Sequence, residues 1–200
     1  MMEWTGERII PEIMQRDPRD LQAHISRYLF SLQFCHNKTV LDAPCGTGYG
    51  TAMLSWVAEM VFGIDSDGPT IDYAQATYST KRTNYRQGQA ERLRSFDNDS
   101  FDTVVCFEGI EHIVDTASVI NEFARVLKPD GVLLISAPEK SGSKFHVKDY
   151  TALELHALLV PTFKPLAYYG QACAMGECMC IGQMREDEPH PTHIYRAVKA

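Results

Sequence analysis

Apolar and polar positions along this chain of 200 residues follow two rhythms. Residues 1–16 have no period and read as a segment crossing the surface. Asp17-Pro18 is a helix start, and Leu21, Ile25, Tyr28, Leu29 and Leu32 then recur at helical spacing, which predicts a helix ending near Asn37. From there short apolar runs alternate with helical stretches. The runs at 40–42, 60–65, 84–87, 101–107 and 132–137 predict buried strands, and 51–58, 69–79 and 115–127 predict the helices between them. The last of these helices is amphipathic, with Ile120, Phe123, Ala124 and Leu127 on one side, and Pro129-Asp130-Gly131 behind it reads as a turn. Thr151-x-x-Glu154 is a capping box for a helix to about Val160. Residues 165–170 and 193–199 are apolar-aromatic strands joined by a long loop over 171–192. Five rounds of strand and helix call for an α/β fold, a parallel sheet covered by helices on both faces, with ligands at the carboxyl ends of the strands.

Length and composition narrow the class. The chain is read as a single domain over 1–200, with 1–38 as an amino-terminal lid segment and 39–200 as the core. A formal charge of -7 disfavours a nucleic-acid partner held by phosphate neutralisation. No stretch approaches the roughly 18 apolar residues of a membrane span, and the start lacks a signal peptide's apolar run, so the expected location is cytoplasmic with no membrane partner. Cys35, Cys45 and Cys106 are scattered among apolar segments and read as reduced packing thiols, whereas Cys178 and Cys180 read as a thiol pair in a loop rather than a metal site. Glu186-Asp187-Glu188 reads as a solvated acidic face.

The candidate chemistry starts at VLDAPCGTGYG, residues 40–50. A strand that ends in Asp42, turns on glycines and opens a helix lets the backbone approach a nucleoside closely. A dinucleotide fingerprint is G-x-G-x-x-G, but here the pattern is D-x-x-x-G-x-G-x-G, with Thr51 where the third glycine would fall. Asp65 closes the second strand, where a carboxylate can accept hydrogen bonds from both ribose hydroxyls. Glu108, Glu111 and His112 directly follow the fourth strand, and His146 follows the fifth. Neighbouring parallel strands bring those two loops to one edge, where two carboxylates and two imidazoles suit one divalent cation, magnesium or manganese first and zinc or iron next. Without a metal, His112 suits a general base oriented by Glu108. On helical spacing, His24, Arg27 and Tyr28 could share a pocket-facing turn, and a surface reading competes with it.

VLDAPCGTGYG, VFGIDSD, GQAERL, FDTVVCFEGIEHI and RVLKPDGVLLISAP, in this order, resemble the class I S-adenosylmethionine-dependent methyltransferases of the bacterial small-molecule group. The resemblance implies a Rossmann-like seven-stranded methyltransferase sheet of order 3-2-1-4-5-7-6, with strand 7 antiparallel. It implies Asp42, Gly46 and Gly48 around the cofactor's methionine part, Asp65 at the ribose, and Gln89 with Ala90 at the adenine. Phe107 and Glu108 would lie beneath the transferred methyl. Gln89 stands where the family more often has an acid, and an amide oxygen accepts the same bond without the charge. The E-x-x-E-H pattern resembles the ubiquinone-pathway O-methyltransferases. Together with a histidine ahead of Tyr150-Thr151, it also resembles enzymes that methylate the terminal 2′-hydroxyl of small RNAs.

The expected activity is methyl transfer from S-adenosyl-L-methionine to a hydroxyl of a small molecule, a sugar or a phenol, with Glu108, Glu111 and His112 catalytic. Glu108, Glu111, His112 and His146 form the candidate metal set. An amine or amino-sugar acceptor, a metal-dependent RNA 2′-O-methyltransferase, a nicotinamide-dependent oxidoreductase and a protein that binds the cofactor without catalysis are the competing readings. The residues do not choose an oligomeric state.

Overall fold

The computed structural model describes residues 8–13, 18–171, 181–183 and 192–200. Cys173, Cys178, Cys180, the 186–188 run and Asp17 lie outside them. The strands are β1 (Thr39–Asp42), β2 (Met60–Asp65), β3 (Thr83–Gln87), β4 (Phe101–Phe107), β5 (Leu127–Pro138), β6 (Phe163–Gln171), β7 (Ile181–Gln183) and β8 (Thr192–Lys199). The helices are α1 (Pro18–Ser31), α2 (Tyr49–Leu54), α3 (Gly68–Tyr78), α4 (Thr116–Val126) and α5 (Ala152–Leu159). None is long and apolar enough to cross a membrane among the described residues.

The sheet runs β3-β2-β1-β4-β5-β8-β6-β7. β1 pairs in parallel with β2 and β4, β3 with β2, and β5 with β4, while β8 is antiparallel to both β5 and β6. The seven expected strands are therefore present in the expected order, the last of them being β8. The expected loop over 171–192 is interrupted by β7, which pairs antiparallel with β6 and adds an eighth strand at that edge.

Alternation along the strands builds two apolar layers. Leu41, Val104, Leu133 and Ile135 face the layer that holds Ile120 and Phe123 of α4 and Leu155 and Leu159 of α5. Their neighbours Val40, Val105 and Leu134 face the other layer, with Tyr28 of α1 and Met53 and Leu54 of α2. A smaller cluster of Cys45, Ile71, Ala74 and Tyr85 seats α3.

Three local expectations are corrected. α2 starts at Tyr49 and stops at Leu54 rather than spanning 51–58. α1 stops at Ser31 rather than near Asn37, and a 3-10 turn over Leu32–Phe34 follows. The Ser31 hydroxyl donates to the Tyr28 carbonyl at 2.7 Å, competing with the helix ladder where the chain tightens. Pro129-Asp130-Gly131 is not a free turn but the irregular part of β5. Leu127 pairs with Phe101 and pairing resumes at Val132 with Thr103, so the extra residues bulge out. Pro129 has no N–H to give the ladder, which suits it to that bulge.

β1 has neighbours on both sides that belong to opposite winding directions of the chain, so a crevice opens above the carboxyl ends of β1 and β4. A cavity of about 900 Å³ occupies it.

Candidate active site

The cavity is walled by α1 and by the loops that leave β1, β2, β3, β4 and β5. On α1 the lining positions are Asp20, Ala23, His24, Arg27 and Tyr28, one helical face. The competing surface reading of His24, Arg27 and Tyr28 therefore gives way to the pocket-facing one.

The glycine corner forms the first wall. Gly46 has φ +53, its N–H donates to Asp65 Oδ2 at 3.0 Å, and a Cβ built on it meets nothing within 4 Å. The space beside it is the cavity itself. Gly48 has a different task. It caps α2 at φ +88, and a Cβ there would lie 2.6 Å from Ala74 and 2.9 Å from the Tyr85 ring. Asp42 is fully buried behind the wall, where it accepts from Thr51 Oγ1 at 2.6 Å and from Tyr28 OH at 3.2 Å. Asp42 and Gly48 therefore support the cavity without lining it. Burial pushes the Asp42 carboxyl up to about 7, and the two hydroxyls oppose that rise.

Asp65 lines the cavity at the end of β2. Its Oδ1 accepts from Asp67 N at 3.0 Å and faces Arg8 Nη2 at 3.7 Å. Gln89 and Ala90 follow β3 and line the same end. Phe107 closes β4, its ring 5.4 Å from that of Tyr28.

The opposite end is rich in acids and imidazoles. Glu108 has φ +48; its Oε1 accepts from the Ser136 hydroxyl at 2.9 Å and its Oε2 lies 3.9 Å from Arg27 Nη2. Glu111 is 1% exposed, and neither carboxylate oxygen has a hydrogen-bond partner among the described residues. Burial holds its carboxyl well above the usual carboxylate range, and the charge of Glu108 adds to that. His112 Nδ1 lies 3.1 Å from the Phe145 carbonyl, an oxygen that only accepts, so the proton belongs on Nδ1 and the lone pair on Nε2. His146 Nδ1 lies 2.6 Å from Asp149 Oδ1, which fixes the same tautomer. Val147 N donates to the Glu111 carbonyl at 2.8 Å, tying the two loops together. One ligand atom each from Glu111, His112 and His146 lies within 4.8 Å of the others. Glu108, expected in the metal set, stands outside this grouping.

Arg27 is 1% exposed, donates to Gln171 Oε1 through Nη1, and has no partner for Nε among the described residues. Burial, and then the Arg27 charge, hold the neighbouring His24 well below its usual range. Glu139 directly follows β5 and accepts from buried His193 Nε2 at 2.7 Å, and His193 Nδ1 lies 2.7 Å from Tyr168 OH. Arg8, Glu139, Asp149 and His193 were not singled out in the sequence. Glu139 was within reach, because it is the first residue past a strand's carboxyl end.

Sequence comparison matches residues 41–135 to a family described as a methyltransferase domain. A probable S-adenosylmethionine-dependent methyltransferase of Mycolicibacterium smegmatis is 35% identical over 164 residues, covering 78% of this chain and 62% of that protein. A ubiquinone biosynthesis O-methyltransferase of Haemophilus ducreyi is 35% identical over 113 residues, covering 50% of this chain and 44% of that protein. The chain thus spans less than two thirds of the length of these relatives. Among solved structures, a possible histamine N-methyltransferase from Thermotoga maritima superposes with a TM-score of 0.77 at 15% identity, covering 94% of this chain and 95% of that one, a likeness of fold.

Proposed function

The chain belongs to the class I S-adenosylmethionine-dependent methyltransferases, and from that premise we propose that it methylates a hydroxyl of a small molecule. The observation that carries this reading is the polar end of the cavity: a buried Glu111 whose carboxylate accepts no hydrogen bond among the described residues and faces His112 Nε2 at 4.0 Å, with ligand atoms of Glu111, His112 and His146 within 4.8 Å of one another, beside Phe107 and Glu108. A hydroxyl has to lose its proton as it gains a methyl group, and this group of side chains is suited to managing that proton.

The cavity suits the cofactor. The open space beside Gly46 admits its methionine part, Asp65 would accept from the ribose hydroxyls, and Gln89 with Ala90 would border the adenine. Arg27, whose Nε has no hydrogen-bond partner among the described residues, would face the cofactor's carboxylate. When bound, the sulfonium supplies an electrophilic methyl group. The chain's own task is alignment of the acceptor oxygen with that carbon and removal of water from between them. His112, protonated at Nδ1 by its contact with Phe145, presents Nε2 to take the acceptor's proton, and Glu108, fixed by Ser136, orients the acceptor.

Glu111, His112 and His146 also fit a divalent cation, since two imidazoles of fixed tautomer and a carboxylate that accepts no hydrogen bond among the described residues form a donor set. A cation there would lower the pKa of a neighbouring hydroxyl. The ubiquinone biosynthesis O-methyltransferase relative supports an oxygen acceptor. An amine is the second reading.

Calorimetry tests the proposal. S-adenosylmethionine should bind the wild type, and Asp65→Ala should weaken binding by about 100-fold, since two charge-assisted hydrogen bonds are lost. A separate saturable heat with magnesium or manganese that Glu111→Gln abolishes would favour the metal-assisted hydroxyl. Cofactor binding with no response to either ion would move His112 and amine acceptors forward. A wild type that ignores the cofactor ends the reading.

A further inference from the structure

The segment 8–13 has no regular secondary structure, yet it is fastened at two points along its length. At the first the Thr47 hydroxyl, in the glycine corner, donates to the Ile9 carbonyl at 2.6 Å. At the second two tyrosines of α3 donate to one carboxylate, Tyr73 OH to Glu12 Oε2 at 2.9 Å and Tyr78 OH to Glu12 Oε1 at 2.5 Å. Between these anchors Ile10 is 2% exposed. Arg8 and Ile9 line the cavity, and Arg8 reaches Asp65, the acid to which the ribose is assigned.

We propose that residues 8–13 form a strap over the adenosine half of the cofactor site, and that the Glu12–Tyr73–Tyr78 clasp on α3 sets how fast the cofactor enters and leaves. The inference rests on the cofactor reading given above. Its physical basis is the contrast between the strap's position and its attachment. The strap contributes wall to the cavity beside Asp65, Ser66 and Thr47, so an adenosine seated there has the strap as its outer boundary. Among the described residues the attachments are a few hydrogen bonds, the Arg8–Asp65 contact and the apolar side chains of Ile9 and Ile10, with no strand pairing or helix to resist opening. Segments held in this way open locally at low free energy. Tyr73 and Tyr78 do not line the cavity, so the clasp acts on the ligand only through the strap.

A clasp that holds a gate and a contact that holds a ligand leave different kinetic marks. Loosening a gate speeds arrival and departure together and leaves affinity nearly unchanged, whereas removing a contact speeds departure alone. The experiment uses surface plasmon resonance with S-adenosylhomocysteine on the full chain, comparing wild type with Tyr73→Phe/Tyr78→Phe. The double variant keeps both rings and removes the two donors to Glu12, along with the hydroxyl contacts of Tyr73 with Tyr78 and Thr77. Losing two hydrogen bonds to a charged group should raise the association and dissociation rates by about tenfold each and leave Kd within about threefold. Glu12→Gln, which keeps the side-chain length, should move both rates the same way by less. Unchanged rates in a folded double variant, or a faster dissociation matched by an equal loss of affinity, overturn the strap. A wild type that binds no S-adenosylhomocysteine instead removes the cofactor reading on which it rests.

Discussion

At Asp42 a single carboxylate couples the fold to the site. It is fully buried, accepts from Tyr28 and Thr51, and burial pushes it up to about 7. In an unfolded chain it would titrate near 4. The folded state thus holds this proton more tightly, so Asp42 contributes stability that is full below about pH 4 and is lost as the pH rises through about 7. Asp42→Asn, which keeps a side-chain oxygen for the two hydroxyls, cannot lose that contribution. Denaturation of both proteins at a series of pH values should show the variant gaining on the wild type between about pH 4 and 7 and level with pH above about 8. A difference independent of pH would mean that folding does not raise the Asp42 pKa. The acid itself was legible in the sequence because it ends an apolar run before a glycine turn. Its distance from the cavity surface was not, because that depends on the Tyr28 ring of α1, which has no sequence relation to the corner.

The element whose ends were easiest to read is α5. The Thr151 side chain accepts from Glu154 N at 3.2 Å and the Glu154 carboxylate accepts from Thr151 N at 3.0 Å, closing the capping box. The bond from Thr151 N, and then one from Lys148 Nζ at 2.9 Å, hold Glu154 down to about 2. Thr151→Ala should cost about 1 kcal/mol in chemical denaturation. A value near zero would show that the docking of Leu155 and Leu159 alone sets where the helix begins. Local rules served well where the signal was local, as in the Thr151 capping box and the strand runs. They failed where tertiary partners decide. The bulge in β5 is set by pairing with β4, and β7 exists because β6 offers an edge. Its three residues carry no pattern of their own.

Across the whole molecule the proposed cofactor touches loops from β1, β2, β3 and β4 together with α1, so its binding should stabilise the fold as a unit. At about 100 times its Kd, S-adenosylhomocysteine should add about 2.7 kcal/mol, or about 5–10 °C in Tm for a domain of this size. Asp65→Ala should lose most of the shift at the same concentration. A wild-type shift below about 1 °C under those conditions would mean that the assembled walls do not receive the ligand. The sequence could place every strand end that meets the cavity because α/β topology sends them all to one edge. It could not place His193 and Tyr168 behind Glu139, since those come from the antiparallel strands, whose contacts across the sheet no spacing encodes.

Glu108 carries its carboxylate on a backbone with φ +48, a region that disfavours any residue with a Cβ by about 1–2 kcal/mol and leaves glycine at ease. Glycine would relieve that backbone, but the carboxylate also accepts from Ser136 and faces the buried guanidinium of Arg27, so its loss leaves a buried cation without this acid. A lineage that keeps this fold can move to glycine at 108 only where both the chemistry and that charge contact have lapsed. The residue found at that place in a descendant is then a record of whether its ancestors went on using the site.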